Sequence, residues 1–225
     1  MRRDLLQAFR SMIVITVLFG LGYPLLVTGV AQGIFPGKAN GSLIKRNGVV
    51  VGSALIGQNF GENVIDKNGK VEMSDGEPVT QPDPRYFQTR PSGTTPADNA
   101  EASSFANYGP NSTVTLAALQ SNIAAYLALN TAPNEAPYDA QLTSAAQVPV
   151  DAADTSASGI DPDISVANAK IQAYRIAAVR HLSLSRVDQL VAQYTTGRSL
   201  GFLGEPGVDV LELNLALDRI SNGSH

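Results

Sequence analysis

The stretch "SMIVITVLFGLGYPLLVTGVAQGIFPG", residues 11–37, contains 27 residues and no charged side chain. About 20 apolar residues are enough to cross a bilayer as a helix. We therefore predict a membrane-spanning signal anchor over 11–36, a short segment over 1–10 before it, and one domain over 37–225 after it. A cleaved signal peptide is the alternative, but the apolar run 12–30 exceeds the roughly 7 to 15 residues typical of such peptides.

Basic residues flank the predicted span on both sides, and their distribution bears on its orientation. Three arginines precede the span, and two lysines and one arginine follow it closely, so the numbers are equal and the density is higher at the amino end. Basic residues near a span favour the cytoplasmic side, and long domains cross the membrane largely regardless of charge. We therefore expect a cytoplasmic amino terminus over 1–10 and an extracytoplasmic domain over 37–225.

The span has features of a helix that packs against another membrane helix. Pro24 cannot donate a hydrogen bond to the carbonyl of Gly20, and in hydrocarbon that carbonyl needs another donor. Gly22, Gly29 and Gly33 fall near one helical face, where small residues let two backbones approach. We predict a packing surface formed by Gly22, Pro24, Gly29 and Gly33, although such spacings also arise by chance.

The charge of the chain excludes one class of partner. Residues 38–225 contain 13 Lys and Arg against 19 Asp and Glu, a net charge of −6, whereas residues 1–37 carry +2. An acidic domain lacks the basic surface that nucleic acid requires, so we expect no nucleic-acid partner. The chain has no cysteine, so no disulfide can form and the domain must be stabilised by its hydrophobic core.

The pattern of the domain indicates an α+β fold. Asn47-Gly48 lies between two short apolar runs, which predicts a small β-hairpin directly after the span. Residues 61–84 are rich in Gly, Asp and Pro, which predicts a surface insertion with a second small hairpin at 67–69. Residues 85–112 contain turn residues throughout and predict a long loop, and long loops in compact domains are often functional.

About four helices are expected after this loop. Leu116, Leu119, Ile123 and either Tyr126 or Leu127 recur at helical spacing, which predicts the first helix. Ser112 or Asn111 is placed to cap the first helix and Ser165 the second, and Gly197 to end the third in the left-handed conformation. The predicted helices cover 113–129, 166–180, 184–196 and 210–218.

The last of these segments is ambiguous. Its leucines alternate as they would in a strand, whereas Asp209-x-x-Glu212 is a capping box that starts a helix. We favour a mostly buried helix.

No residue pattern in the chain indicates catalysis. The acidic residues Asp151, Asp154, Asp161 and Asp163 lie among Ser, Gly and Pro, a context typical of turns and caps, and they lack the spacing of a calcium loop. No serine is placed with a histidine and a carboxylate in a known motif, and His181 is expected at a helix carboxyl end. We therefore predict no catalytic residue and no metal site, and we do not expect an enzyme in this chain alone.

Seven short motifs, in the same order over nearly the whole chain, are similar to those of a known family. They are "GLGYPLL" (20–26), "ANGSLI" (39–44), "GSALIGQNF" (52–60), "YF" (86–87), "RPS" (90–92), "SASG" (156–159) and "VLELNLALD" (210–218). On these motifs the chain resembles the C subunit of the Kdp potassium-transporting ATPase.

The resemblance implies a single-span subunit of a potassium uptake complex in the bacterial inner membrane. The implied partners are a channel-like potassium-translocating subunit, a P-type ATPase subunit, a very small single-span subunit and membrane lipid. The implied role is that of a non-catalytic accessory subunit, an assembly factor and catalytic chaperone that promotes use of ATP by the ATPase subunit. ATP and K⁺ are then used by the complex, and we expect no cofactor bound by this chain itself.

The resemblance also points to a possible ligand contact. The glutamine of the family's proposed nucleotide contact falls on Gln172, and Arg175 and Arg180 follow on the same predicted helix. Two positions depart from the family pattern. Tyr174 occupies a position where Pro is usual, and Asp163 occupies a position where His or Asn is common. An extracytoplasmic domain would meet no ATP, so we favour a structural role in which Gln172 bridges to a neighbouring loop.

A function of a different class stays open as the alternative. A free-standing, membrane-anchored extracytoplasmic binding module would hold a small ligand at the loop 85–112. Such a module would need no obligate partner in the membrane.

Overall fold

The computed structural model describes residues 2–74, 76–104, 107–109, 111–131, 142 and 144–221. The chain divides into two compact units, Met1–Ser53 and Ala54–His225.

The first unit begins with one long helix, Arg2–Ile34, of 33 residues, which is apolar and long enough to cross a membrane. It consists of α1 (Arg2–Ile15), a π-helical segment (Thr16–Gly22) and α2 (Tyr23–Ile34), and a short helix α3 (Pro36–Ala39) follows. The π-helical segment ends just before Pro24, and the N–H of Tyr23 bonds to the carbonyl of Leu18, five residues back. Proline disrupts the regular bonding of an α-helix, and a wider turn accommodates this.

The predicted hairpin follows the span and belongs to the first unit. Strands β1 (Leu43–Arg46) and β2 (Val49–Ser53) pair in antiparallel fashion. Asn47 and Gly48 both have positive φ, 51° and 81°, as a two-residue type I′ turn requires. This hairpin is confirmed.

The second unit contains four long helices, two short ones and several small strands among its described residues. The helices are α4 (Thr113–Asn130), α5 (Val150–Ala153), α6 (Val166–Val179), α7 (Leu184–Gln193) and α8 (Val210–Ser221), with a 3₁₀ turn at Ala145–Gln147. The strands are β3 (Gly61–Asn63), β4 (Met73–Ser74), β5 (Glu77–Pro78), β6 (Thr80–Pro82), β7 (Asp163–Ser165), β8 (Thr195–Thr196) and β9 (Gly207–Asp209). The α+β class is confirmed.

The core of this unit lies where α6, α7 and α8 pack against a three-stranded antiparallel sheet of order β7-β9-β8. Ile164 and Val208 face each other in the β7/β9 register and are both buried. The other buried apolar members are Phe87, Ala169, Ala173, Ile176, Ala177, Val187, Leu190, Val191, Val210, Leu213, Ala216 and Leu217. Among the described residues of the long loop 85–112, Phe87 is the one buried member of this cluster.

Residues 61–82 form two small antiparallel pairs, β3 with β6 and β4 with β5, and most of their side chains are exposed. The second predicted hairpin is confirmed, because Ile65 and Val71 form an antiparallel bridge around it. Asp66 shapes its turn by accepting bonds from the N–H groups of Asn68 (2.7 Å) and Lys70 (2.9 Å). Whether this segment is an insertion relative to related proteins stays a prediction.

Helix boundaries largely follow the predicted caps. Ser112 and Ser165 accept bonds from the third N–H of α4 and α6, at 3.3 Å and 3.1 Å. The segment 210–218 is helical, and Asp209 caps it by accepting from Glu212 N–H at 2.7 Å. His181 lies just past the end of α6 with φ 54°, as predicted for a residue at a helix carboxyl end.

The first predicted helix is confirmed as α4, in which Leu116 is 56% exposed while Tyr126 is buried, because the helix is apolar on all sides and its pattern does not identify a single buried face. One prediction about a helix end is wrong. The third helix ends at Gln193 and not at Gly197, which does not have a positive φ. Thr195 and Thr196 leave the helix to pair with β9, since β-branched residues fit a strand better than a helix end.

Candidate functional site

The side chain of Gln172 lies in a buried network between α6 and the loop 85–112. Its Oε1 accepts from Gln88 N–H and from the Arg175 guanidinium, both at 2.7 Å. Its Nε2 donates to the carbonyl of Gln88 (3.0 Å) and to Asn168 Oδ1 (2.9 Å). Gln172 is 1% exposed, and four hydrogen bonds are the full capacity of its amide. The side chain therefore has no free donor or acceptor for an outside ligand.

Arg175, one turn further along α6, is fully buried. Its Nε donates to Asn130 Oδ1 at 3.0 Å, and its Nη1 donates to the carbonyls of Pro84 (2.8 Å) and Tyr86 (3.0 Å). With the bond to Gln172, this one guanidinium joins the end of α4, the middle of α6 and the segment before Phe87. Each of these elements is thereby fixed relative to the other two.

The network continues from Gln172 towards α5. Asn168, fully buried, accepts from the Tyr126 hydroxyl at 2.8 Å and donates to Asp151 Oδ2 at 3.0 Å. Asp151 also accepts from the N–H and hydroxyl of Ser165, each at 2.8 Å. Burial raises the pKa of Tyr126, so its hydroxyl keeps its proton and remains a donor. Asp151 thus holds the start of α6, as the predicted turn-and-cap role requires.

Arg180 ends α6 and links it to α8. Its Nη2 forms an ion pair with Asp218 Oδ1 at 3.1 Å, and its Nε donates to the carbonyl of Arg85 at 2.7 Å. The guanidinium lies 4.6 Å from the centre of the Tyr86 ring, a cation–π distance. The structure therefore places Gln172, Arg175 and Arg180 around one segment, 84–88, which all three hold. Nucleotide contact by these residues stays a prediction.

The sequence analysis missed Asn214, which holds the same segment from α8. Its Oδ1 accepts from Phe87 N–H and its Nδ2 donates to the Phe87 carbonyl, both at 2.9 Å. Gln172 does the same for the next residue, Gln88, from α6. The two amide side chains thus bond the loop backbone as a neighbouring strand would. The sequence did contain a signal for this role, namely a single Asn within the mostly apolar segment 210–218.

A small cavity lies beside this loop. It has a volume of about 270 Å³, and its lining includes Arg90, Asp98, Asn122 and Tyr126. Arg90 donates to the carbonyl of Thr155 at 3.0 Å, while its Nε is buried and has no hydrogen-bond partner within the described part of the chain. Burial raises the pKa of Asp98. This cavity is the place in the loop 85–112 where the alternative function, a binding module, would hold a small ligand.

Two carboxylates face each other across the sheet. Asp163 on β7 and Asp209 on β9 are cross-strand partners. Burial raises the pKa of Asp209 to about 6; the bond from Glu212 N–H opposes the rise, and the charges of Glu212 and Asp163 add to it. Burial, and next the charge of Asp161, raise the pKa of Asp163 as well. Within the described ranges, no group of three or more His, Cys, Asp or Glu could hold a metal ion.

The raised pKa of Asp209 predicts that the contribution of this residue to the stability of the domain falls as the pH rises. A pKa raised in the folded state means that the folded state binds the proton more tightly, so the stabilisation is complete below pH 4 and is lost as the pH rises through 6. Asp209→Asn keeps the helix cap and removes the charge. After allowance for solvent screening, we expect the variant to be about 1 kcal/mol more stable than wild type at pH 7.

This prediction is checked by unfolding the full-length chain in mild detergent between pH 4 and pH 7.5. The stability difference between Asp209→Asn and wild type should grow as the pH rises through 6. Asp188→Asn, at an exposed position on α7, is the matched control and should show no such trend. A constant difference for Asp209→Asn across the range would contradict the prediction.

The residues predicted to pack in the membrane all lie in the first unit. Gly22 ends the π-helical segment, Pro24 stands in the first turn of α2, and Gly29 and Gly33 follow on the same helix. Within the described part of the chain, and apart from the adjacent residues and the nearby backbone of the same helix, no atom lies within 4 Å of a Cβ placed on Gly29 or Gly33. The surface around these two glycines is open, and their packing against a partner helix stays a prediction.

Comparison with known proteins places the chain in a family. The family model described as "K+-transporting ATPase, c chain" (KdpC) matches residues 5–219. The chain is 43% identical over 222 residues to the potassium-transporting ATPase KdpC subunit of Mycobacterium tuberculosis (strain H37Rv), covering 98% of this chain and 100% of that protein. It is 45% identical over 215 residues to the Methylococcus capsulatus subunit of the same name, covering 95% and 96%. The resemblance seen in the motifs is confirmed, and the chain belongs to the KdpC family.

Proposed function

We propose that this chain is a non-catalytic accessory subunit of an ATP-driven, high-affinity potassium uptake complex. Family membership over nearly the whole chain supports a role in such a complex. The observation that carries the accessory role is the network around Gln172 and Arg175. These polar side chains are buried and bonded within the domain, so they stabilise a shape and do not present chemistry to a substrate.

The proposal includes partners and a location. The chain assembles with a channel-like potassium-translocating subunit, a P-type ATPase subunit and a small single-span subunit in the bacterial inner membrane. ATP is hydrolysed in the ATPase subunit, and this chain acts as a catalytic chaperone by stabilising the assembled complex. The amino terminus is cytoplasmic and residues 37–225 are extracytoplasmic. The apolar helix Arg2–Ile34 and the higher density of basic residues on its amino-terminal side support this arrangement.

The open surface around Gly29 provides the test of assembly. Gly29→Leu fills the position where another helix would approach, so we expect at least a tenfold loss of the ATPase and potassium subunits that co-purify with the tagged full-length chain. Ala31→Leu adds similar bulk about 200° around the helix and is the matched control, expected to retain both subunits.

Both variants are made in a Ser144→Cys background, which supplies the chain's one cysteine at an exposed position. Reaction with an impermeant thiol reagent in intact cells then verifies insertion and orientation before purification. Labelling only after lysis would reverse the proposed topology. Normal co-purification of Gly29→Leu, together with normal growth at limiting potassium, would exclude packing at this face. A wild-type chain recovered alone and folded would favour the binding module with its cavity near Arg90.

A further inference from the structure

The loop between β8 and β9 carries an exposed apolar tip, which we call the knob, residues 198–205. Leu200 is 83% exposed, Phe202 69% and Leu203 50%. The knob is ordered by its own backbone: Ser199 and Leu203 exchange two hydrogen bonds of 2.9 Å, and Phe202 N–H bonds to the Ser199 carbonyl at 3.3 Å. Three apolar side chains are therefore held out into solvent by a structured turn.

The residue at the tip is unfavourable for the turn that contains it. Leu200 and Gly201 both have positive φ, 54° and 82°, as at the two central positions of a type I′ turn. Asn, Asp or Gly adopts this conformation with little strain, whereas a branched apolar residue adopts it at a cost. Leu200 adds a second cost because it exposes apolar surface to water. Neither the fold nor solubility accounts for leucine at this position.

The base of the knob is fixed by one arginine. Arg198 donates from Nη1 to the carbonyl of Gly204 at 2.7 Å and from Nη2 to Glu205 Oε2 at 2.6 Å. These bonds join the two ends of the loop, so its backbone is ordered in the absence of a partner. A surface element that is already ordered loses less conformational entropy on binding. The same ion pair leaves the knob with no net charge.

A groove of mixed lining begins at the base of the knob and has a volume of about 400 Å³. Its apolar lining residues are Val166, Val191, Ala192, Gly197 and Pro206, and its polar ones are Lys170, Asp188 and Thr195. Gly197 and Pro206 also flank the knob in sequence. A protruding aromatic residue beside a groove that is apolar in part has the form of an interface anchor with contact area around it.

Charge decides between the two apolar environments that a knob of this kind could enter, lipid or protein. Residues 54–225 contain 10 Lys and Arg against 19 Asp and Glu, a net charge of −9. Loops that bind membrane surfaces present basic residues to anionic head groups, whereas Arg198 is paired with Glu205. The acidic domain would be repelled by an anionic lipid surface. A protein pocket is the environment that fits.

We propose that the knob inserts Leu200 and Phe202 into an apolar pocket on the extramembranous surface of another subunit of the same complex. This inference rests on the proposed function, since it requires an assembled complex. It assigns the contact to a defined part of the domain, separate from the membrane helix.

The test uses the tagged full-length chain, purified in mild detergent from cells that make the whole complex. Phe202→Ser is expected to lower about tenfold the amount of partner subunit retained after a high-salt wash. Val150→Ser removes a similarly exposed apolar side chain, 78% exposed, from another part of the domain and should retain the subunit as wild type does. Replacing Phe202 with photoreactive benzoylphenylalanine should cross-link the chain to a protein subunit.

Leu200→Asn separates docking from folding. Asn suits the left-handed conformation, so the variant should unfold at a temperature about 3 °C higher than wild type and yet retain several-fold less subunit. Full retention by both knob variants, or a cross-link to lipid in place of a subunit, would overturn the inference. If the wild-type chain brings no subunit with it, the proposed function fails and the role of the knob fails with it.

Discussion

Replacing Arg175 with methionine should destabilise the domain by about 3 kcal/mol. Methionine fills much of the same volume, but Asn130 Oδ1 and the Pro84 carbonyl lose the guanidinium that they accept from. Each buried acceptor left without its donor costs about 1 to 3 kcal/mol. The variant no longer buries a positive charge, and this offsets part of the combined cost of the two acceptors. The carbonyl of Tyr86 and Gln172 Oε1 each still accept from Gln88, which limits the loss.

Urea unfolding of the full-length chain in mild detergent, followed by circular dichroism, measures this effect. Arg186→Met is the control, since Arg186 is exposed on α7 and its loss should change stability by less than about 0.5 kcal/mol. Arg175→Lys should fall between the two, because a single ammonium cannot reproduce the planar fork of donors. Wild-type stability of Arg175→Met would show that the network around Gln172 does not hold the domain together.

Gly159→Ala should cost about 3 kcal/mol or more, for two separate reasons. Gly159 has φ 75°, where a side chain is strained by about 1 to 2 kcal/mol. In addition, a Cβ at this buried position would overlap the carbonyl oxygen of Ser104 and lie 2.9 Å from the Cα of Gly93. The backbones would have to separate, which would break the bond from Gly93 N–H to the Gly159 carbonyl at 2.8 Å.

Two other glycines separate these contributions. Gly69 has φ 77° and open space around a Cβ, so Gly69→Ala should show the conformational strain alone, about 1 kcal/mol. Gly197 has neither a positive φ nor a close neighbour, so Gly197→Ala should leave stability within about 0.5 kcal/mol of wild type. If Gly159→Ala costs no more than Gly69→Ala, the close approach of the 93, 104 and 159 backbones does not constrain the native state.

Features set by neighbouring residues were predictable from the sequence. The uncharged stretch 11–37 predicted the long apolar helix, Asn47-Gly48 predicted a type I′ hairpin, and the serine and aspartate caps predicted helix starts. Each of these depends on residues within a few positions of each other, where local rules apply. The exposed face of α4 was not predictable in this way, because a helix that is apolar on all sides gives no preference for one face.

The hydrogen bonds at the centre of the candidate site were also not predictable, and the reason is different. Gln172 bonds to Gln88 across 84 positions and Asn214 bonds to Phe87 across 127. Nothing in the local sequence of either amide identifies its partner, because the match depends on where two helices deliver their side chains. The pKa of Asp209 likewise depends on the burial of β9 and on Asp163 opposite it. Such properties follow from the tertiary fold.

The bond between Phe87 and Asn214 also sets the time at which the domain can fold. A ribosome makes about 5 to 20 residues per second, so Asn214 emerges roughly 6 to 25 s after Phe87. During that interval the backbone of Phe87 lacks the amide that pairs with it, and its ring lacks the α8 residues that cover it. The hydrophobic core around Phe87 therefore stays incomplete until α8 has left the ribosome.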